Sequence, residues 1–487
     1  QAAVNKAYKD YCKIRSNCRI EYHKIDQPPR RFQPQTSRAW SAGFPATCCK
    51  ARANEGKPSL TDILEAPARP IARPGTSLRV AILSYRSDPN VGGQGVYVDY
   101  LSRALVEAGA QVDVISGPPY PGLDPRVGLV QLPSLDLYAQ PSHGHYALRP
   151  HHLLSPTDTY EYFGHLSGKF VEPYTFGQRA LHYLRSCRDR YDAVLDNQTL
   201  ASGILKLQDR LDIPLVTMVH HPITQDRQLA LDAAPDPLHR WLVRRWYAFH
   251  RMQIRVAKRL DWLTCPSLSS KADIVDAFGV DADRIHPIPL GVDQATFTPM
   301  AGVRRAGRRL ISTASADTPL KGLPILLQAY ALLRKADPEL ELVVIGKLRE
   351  GAASRMLEAL DLRDKVTFKS GLSRQELAME FNRATIAVTP SLYEGFGLPA
   401  AEAMSCGTPV IVSDGGALPE VAGDAGIVVP RGDPGALAAA ISELLSEPDR
   451  HAAVARACLD RARTAFNWSA IAPRYIDLFE QAIAARC

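Results

Sequence analysis

The chain lacks the long apolar run that a bilayer-spanning helix needs, roughly 18 residues, anywhere along its 487 positions. Residues 1–20 are polar and basic, with no apolar stretch ahead of a small-residue cleavage site, so no secretory signal is read there and the cytoplasm is the expected compartment. Paired cysteines are missing too. The nine cysteines are odd in number, and Cys48 and Cys49 are adjacent instead of spaced as CxxC. That excludes a disulfide scaffold and a structural zinc site, leaving reduced thiols. The one DxD string, Asp281-Ala282-Asp283, lies between a helix and a short strand and reads as a turn, so no metal ligand set and no cofactor is expected.

What remains is a globular composition, 46% hydrophobic and 22% charged, long enough for two cores. Residues 1–77 stand apart. They carry 14 Lys and Arg against 6 Asp and Glu, in a chain with 58 against 51 overall, so the remainder is nearly neutral. Rich in Pro, Arg and Gln, this extension shows no periodicity and reads as disordered. A basic tail of this kind is usually solvated. Lipid or nucleic acid is the alternative occupant, and no specific nucleic-acid partner is expected.

Order is expected from Arg79. RVAILSY (Arg79–Tyr85) reads as a buried strand, a loop with Gly92, Gly93 and Gly95 follows, and VYVDYLSRALVEA has helical spacing up to Gly109. Further strands are read at residues 111–117, 191–198, 213–221 and 260–267. A second series starts near Arg309, with strands at 309–315, 340–346, 365–371, 384–391 and 408–414. Strand and helix alternate throughout, which predicts parallel, doubly wound sheets. The expected architecture is therefore α/β: two Rossmann-like domains, 78–290 and 309–466, joined by a linker at 291–308 and facing a central cleft. A C-terminal helix at 467–487, with Trp468, Tyr475 and Phe479, is expected to pack back toward the first domain. Ligands of such sheets bind beyond the carboxyl ends of the strands.

The richest stretch is SLYEGFGLPAAEAMSCG (Ser391–Gly407). A strand ends near Ser391, Gly395 and Gly397 allow a close backbone approach, and Pro399 and Gly407 bound a helix. The unpaired N–H groups at that helix start suit a diphosphate. Glu394 lies before the helix and Glu402 in its first turn, one carboxylate for each end of a bound nucleotide sugar. For Glu402 alone, a favourable acid at a helix start would be the plainer reading.

This stretch resembles the family 4 glycosyltransferases. Val366-Thr367-Phe368 with Gly371, and Gly415–Val429, extend the likeness, which covers about Arg79–Ala485 and is closer in the second half. The resemblance implies a GT-B fold and a metal-independent, retaining transfer of a sugar, a hexose, from a nucleotide diphosphate donor to a hydroxyl acceptor. It also implies that Glu394 contacts the donor sugar, that Glu402 holds the ribose hydroxyls, and that the backbone amides of Phe396, Gly397 and Leu398 face sugar and phosphate. Lys321 would place its charge on the departing diphosphate. Gly93 and Gly95 would close over the diphosphate from across the cleft, although a tight turn explains those glycines equally well. The family places a His after the strand that ends here at His220, near the reacting carbon; His221 competes for that role, and a local hydrogen bond is the plainer account of either. Two positions depart from the pattern. Ser315 and Ala316 stand where the family carries Gly-Arg, and Leu290 replaces an Asn before Gly291.

Arg240–Arg259 holds seven Lys and Arg, no acid, and interleaved aromatics. It reads as a scaffold helix with its basic face in water, or as a peripheral contact with an anionic membrane at the inner face. The acceptor is not legible and could be a glycan, lipid-linked or small. The alternatives to a transferase are a non-catalytic nucleotide-sugar-binding subunit and another GT-B enzyme such as a nucleotide-sugar epimerase.

Overall fold

The computed structural model describes residues 77–89, 92–137, 139, 148–313, 319–348 and 351–486. The extension up to residue 76, together with Ser315 and Ala316, lies outside the described residues. The first sheet consists of β1 (Arg79–Ser84), β2 (Gln111–Ser116), β3 (Gly128–Gln131), β4 (Ala193–Asn197), β5 (Leu215–Met218), β6 (Trp262–Cys265) and β7 (Ile285–Pro287), in the order β3-β2-β1-β4-β5-β6-β7. The second consists of β8 (Arg309–Ser312), β9 (Glu341–Ile345), β10 (Val366–Lys369), β11 (Ile386–Thr389), β12 (Val410–Ser413) and β13 (Ile427–Val429), in the order β10-β9-β8-β11-β12-β13. Every pairing is parallel; Ile82, for instance, stands opposite both Val114 and Leu195. The central strands are covered on both faces by helices, so they read as unbroken apolar runs, with Val80, Ala81, Ile82 and Leu83 fully buried. In each sheet the winding reverses beside the first strand, between β1 and β4 and between β8 and β11.

Four local features differ from the sequence expectation, the first being β13, which adds a sixth strand at the edge of the second sheet. Strand β3 extends the first sheet at its edge; its four residues GLVQ are half-exposed and too short to show a period. The first helix starts at Gly93, so Gly93 and Gly95 lie in its opening turn instead of a loop. A Cβ at Gly95 would stand 2.5 Å from the Asp88 carbonyl oxygen, and it is this missing side chain that lets the helix begin directly beneath the chain leaving β1. The helix after Gly397 runs Leu398–Ser405, which puts Pro399 second and Glu402 fifth, one residue further in than expected.

The linker packs firmly on the second half. Arg305 Nη1 donates to the Ala384 carbonyl at 2.9 Å, and Nη2 donates to the Cys406 and Gly407 carbonyls at 2.9 and 2.8 Å, satisfying orphan acceptors at the end of the Leu398–Ser405 helix. The last helix, Trp468–Ala484, lies against the Gly93–Glu107 helix and puts Trp468, Tyr475 and Phe479 into the first sheet's core. Tyr97 Oη donates to Tyr475 Oη at 3.1 Å. At the crossover Val292 bridges Asn467, and a Cβ on Gly291 would meet the Trp468 ring at 2.4 Å.

Candidate active site

The loops that follow β8 and β11 meet because those strands are neighbours at the reversal point of the second sheet. One brings Lys321, the other Glu394. Lys321 Nζ donates to Glu394 Oε1 at 2.6 Å, and Ser391 Oγ donates to the same oxygen at 2.8 Å. The approach is tight by construction. Gly322 has φ +67°, and a Cβ there would sit 2.0 Å from the Pro390 carbonyl oxygen, so only glycine lets the two loops touch. The Leu392 N–H donates to the Leu320 carbonyl at 2.7 Å, and the Ala417 N–H donates to the Glu394 carbonyl at 2.9 Å. Glu394 is thus fixed from three sides before any ligand arrives.

Beside this pair the helix Leu398–Ser405 begins. Gly397 precedes it at φ +103°. Phe396 is buried edge-on against Phe466, ring centres 5.6 Å apart, which pins the loop while the amides of Phe396, Gly397 and Leu398 stay at the helix start, where N–H groups have no intrahelical partner. Glu402 lies deeper, 7% exposed. Burial pushes its carboxyl up to about 8; the Arg374 guanidinium pulls it down, and Asp293 pushes it further up. Arg374 in turn donates to Asp99 at 2.8 Å and lies 4.5 Å above the Tyr100 ring. Arg374, which acts on the buried Glu402, is thus itself held by residues of the first half.

Across the cleft, β1 and β4 present the other reversal point. The chain leaving β4 holds Asn197 and Gln198, the latter in the left-handed region at φ +54°. Gln198 Oε1 accepts the His220 N–H at 2.6 Å, and its Nε2 donates to the His221 carbonyl at 2.8 Å, so one side chain clamps the His220–His221 turn. Asn197 Nδ2 donates to Ser84 Oγ at 3.2 Å, which leaves its Oδ1 to accept from His220 Nε2 at 2.7 Å. His220 thus carries its proton on Nε2 and keeps Nδ1 as an acceptor. Burial, with the adjacent His221, pushes its imidazole down to about 3, so it is neutral. Its ring turns inward against Tyr97, centres 4.8 Å apart. His221 lines a cavity with the Gly92–Gly95 segment, and its Nε2 is 3.5 Å from Asp226.

The two halves meet at this pair of histidines. A Cβ on Gly395 would fall 2.7 Å from the His220 carbonyl oxygen and 3.3 Å from His221 Cβ. Ser267 Oγ and Ser270 Oγ both donate to the Gly395 carbonyl at 2.9 Å. Tyr393 Oη donates to Asp273 at 2.6 Å. Glu420 accepts the N–H groups of Leu268 and Ser269 at 2.8 and 2.7 Å, capping a first-half helix from the second half. The structure thus brings Glu394, Lys321 and the His220–His221 turn to one place. It adds Asn197, Gln198, Asp273, Arg374 and Glu420, which carry no signal along the sequence beyond their position near strand ends.

Comparison with known proteins identifies the family. Residues 301–459 match the family described as "Glycosyl transferases group 1", and residues 91–296 match "Glycosyltransferase Family 4". An MMP alpha-(1->4)-mannosyltransferase from Mycolicibacterium hassiacum is 43% identical over 417 residues, 84% of this chain and 99% of the relative. A D-inositol 3-phosphate glycosyltransferase from Xylanimonas cellulosilytica is 32% identical over 450 residues, 85% of this chain and 99% of that one. Among solved structures, the sucrose-phosphate synthase of Thermosynechococcus elongatus superposes with a TM-score of 0.63 at 24% identity, covering 84% of this chain and all of its own. With two parallel-sheet domains closing on a cleft that carries these side chains, the chain belongs to the group 1, family 4 glycosyltransferases of the GT-B fold.

Proposed function

We propose that this glycosyltransferase moves mannose from a nucleotide diphosphate donor to a sugar hydroxyl, with retention of the α configuration and without a metal ion. The observation that carries the reading is the Lys321–Glu394 pair at the reversal point of the second sheet, 2.6 Å apart beside a helix start. A diphosphate seated there meets the ammonium and the helix amides, which stabilise the charge that develops as the glycosidic bond breaks. Glu394 then faces the sugar. The His220–His221 turn and Gly93–Gly95 lie on the acceptor side, and the hydroxyl attacks the face that the diphosphate leaves. Glu402 takes the ribose hydroxyls. The choice of mannose is supported by the activity named for the 43% identical relative. In the test, purified protein is given GDP-, UDP- and ADP-sugars with mannoside acceptors, with and without excess EDTA. Nucleotide release that requires acceptor, persists in EDTA and yields an α-linked product agrees with the reading. A β-linked product, or an absolute need for Mg²⁺ or Mn²⁺, refutes the mechanism.

Contact with the inner face of an anionic membrane belongs to the same proposal. Trp241 is 49% exposed beside exposed Arg240 and Arg244, while Trp246 turns inward and stacks on Phe170. Salt-sensitive sedimentation with anionic but not neutral vesicles is the expected result, and equal, negligible pelleting with both overturns it.

A further inference from the structure

Glu402 belongs to a cluster drawn from four parts of the chain. Its own helix packs against the helix Arg374–Arg383, which Arg374 opens. The first-half helix Gly93–Glu107 contributes Asp99, Tyr100 and Arg103, and the linker contributes Asp293. The charges cross between these parts. Arg374 pairs with Asp99 at 2.8 Å, and Arg103, one turn on from Asp99, pairs with Asp293 at 3.2 Å. Both guanidinium groups lie over the Tyr100 ring, 4.5 and 5.5 Å from its centre. Tyr100 is 2% exposed, and among the described residues its Oη has no hydrogen-bond partner, so the ring works through its face, as a platform for cations. Burial, and after it Glu402, holds the Tyr100 phenol well above its usual range. The same two causes push the Cys406 thiol, just past the end of the Glu402 helix, up to about 12. Of all these groups Arg374 favours the charged form of Glu402, while burial and Asp293 favour the neutral one.

We infer that Arg374 is a positioning residue for the donor: it supplies the positive charge against which the buried Glu402 accepts the ribose hydroxyls, and Asp99 and Tyr100 hold it there from the first half. The inference rests on the transferase reading, in which Glu402 takes the ribose, and names what lets it do so. An ionised carboxylate accepts two hydroxyl protons in charge-assisted bonds; a neutral carboxyl has a proton of its own to place and accepts weakly. Away from water the ionised form needs a compensating charge. A guanidinium suits that post, because the Asp99 carboxylate fixes its edge and the Tyr100 ring its flat face, a double hold that a lysine ammonium does not offer. Arg103 helps from the same helix, since by pairing with Asp293 it takes up the charge that opposes Arg374 at Glu402.

The test is binding, measured by calorimetry on the full chain across pH 6 to 9. The ligands are GDP, UDP and ADP, each beside its 2′,3′-dideoxy form. Base and diphosphate are common to each pair, so the ratio of the two affinities reads the ribose contact alone. In the unaltered protein the ribose-bearing member is expected to bind more tightly, by roughly 10- to 100-fold at pH 8. Arg374 pulls the Glu402 carboxyl down towards its value of about 8; without that pull the carboxyl rises, and its charged form is reached only at higher pH. Arg374→Gln is therefore expected to cut the ratio at least about fivefold at pH 8 and to move its rise to higher pH, with the dideoxy member bound as before. Arg374→Lys keeps the charge and is expected to fall between the two. Asp99→Asn, which only loosens the hold on Arg374, lowers the ratio in the same direction and serves if Arg374→Gln does not fold. Four results would each overturn the inference: no ribose preference in the unaltered protein, an equal loss for both members of a pair, no rescue by lysine, or an unchanged ratio in the folded variants. Nucleotide release in the donor assay is a separate readout, so the transferase reading can stand while this one falls.

Discussion

Glu394 is held by an ammonium and a hydroxyl on one oxygen and by backbone contacts on either side, so its position does not depend on substrate. On the proposed reading, replacing it with Ala removes a charge-assisted contact to the reacting sugar. Turnover is expected to fall roughly 30- to 1,000-fold, corresponding to about 2–4 kcal/mol of transition-state stabilisation, with little loss of donor affinity; steady-state kinetics beside direct donor titration checks the split. Glu402 behaves differently. Its carboxyl is raised to about 8 by burial, above the value of about 4.3 that it has in an unfolded chain. The folded state therefore keeps a proton that the unfolded state has lost, and stability contributed by the neutral carboxyl is lost as pH rises from about 4 towards 8. Glu402→Gln is expected to melt higher than the natural protein at pH 8, with the gap closing by pH 5. Equal melting temperatures across that range would show that Glu402 is not desolvated. Both glutamates were legible in the sequence as a spaced pair. Arg374, which sets the environment of one of them, was not, because nothing in the motif announces a partner 28 residues upstream that also reaches Asp99.

Each functional loop belongs to a strand–loop–helix unit whose glycines answer to contacts elsewhere. Gly95 makes room for the chain leaving β1, Gly322 for Pro390, and Gly395 for His220. From the sequence, the first of these reads as part of the loop after the first strand. In the structure it is the opening turn of a helix, because the helix can begin at Gly93 only where no side chain blocks Asp88. Gly395→Ala is the sharpest probe at this scale. Its Cβ would stand 2.7 Å from the His220 carbonyl oxygen, so the donor loop must withdraw from the histidine turn. The expected result is a loss of turnover of at least about tenfold with a melting temperature lowered by no more than a few degrees, since the contact joins two halves that each keep their own core. Unchanged kinetics would mean that the halves do not meet there during the reaction.

The two halves are tied by more than the linker. The chain crosses once at Val292 and returns at Asn467, and the last helix completes the core of the sheet to which β1 belongs. Trp468, Tyr475 and Phe479 each bury about 150–250 Å² of ring surface, on the order of 10 kcal/mol together at about 25 cal/mol per Å². A chain ending at Phe466 is expected to lose cooperative unfolding of its first half, or to fail to accumulate as folded protein, while residues 309–466 retain their own core. Calorimetry of that truncation beside the whole chain checks this, and a single unshifted transition would contradict it.

The order of strands and helices, the parallel sheets and the spaced glutamates followed from the sequence alone, because buried parallel strands are unbroken apolar runs and a helix start after a Gly-rich turn has a local signature. Lys321 and Glu394 could be named separately in the same way. That they form one ion pair was decided by the tertiary structure, since it is the reversal of winding between β8 and β11 that brings residues 73 apart to one edge. The same holds for the Gln198 clamp on the histidine turn, for Glu420 capping a helix in the other half, and for Glu172 filling the fork of Arg86 from 86 residues away. Each is a contact between side chains whose local sequence would be equally at home on a solvated surface; only the fold, by removing them from water together, gives them a partner and hence a role.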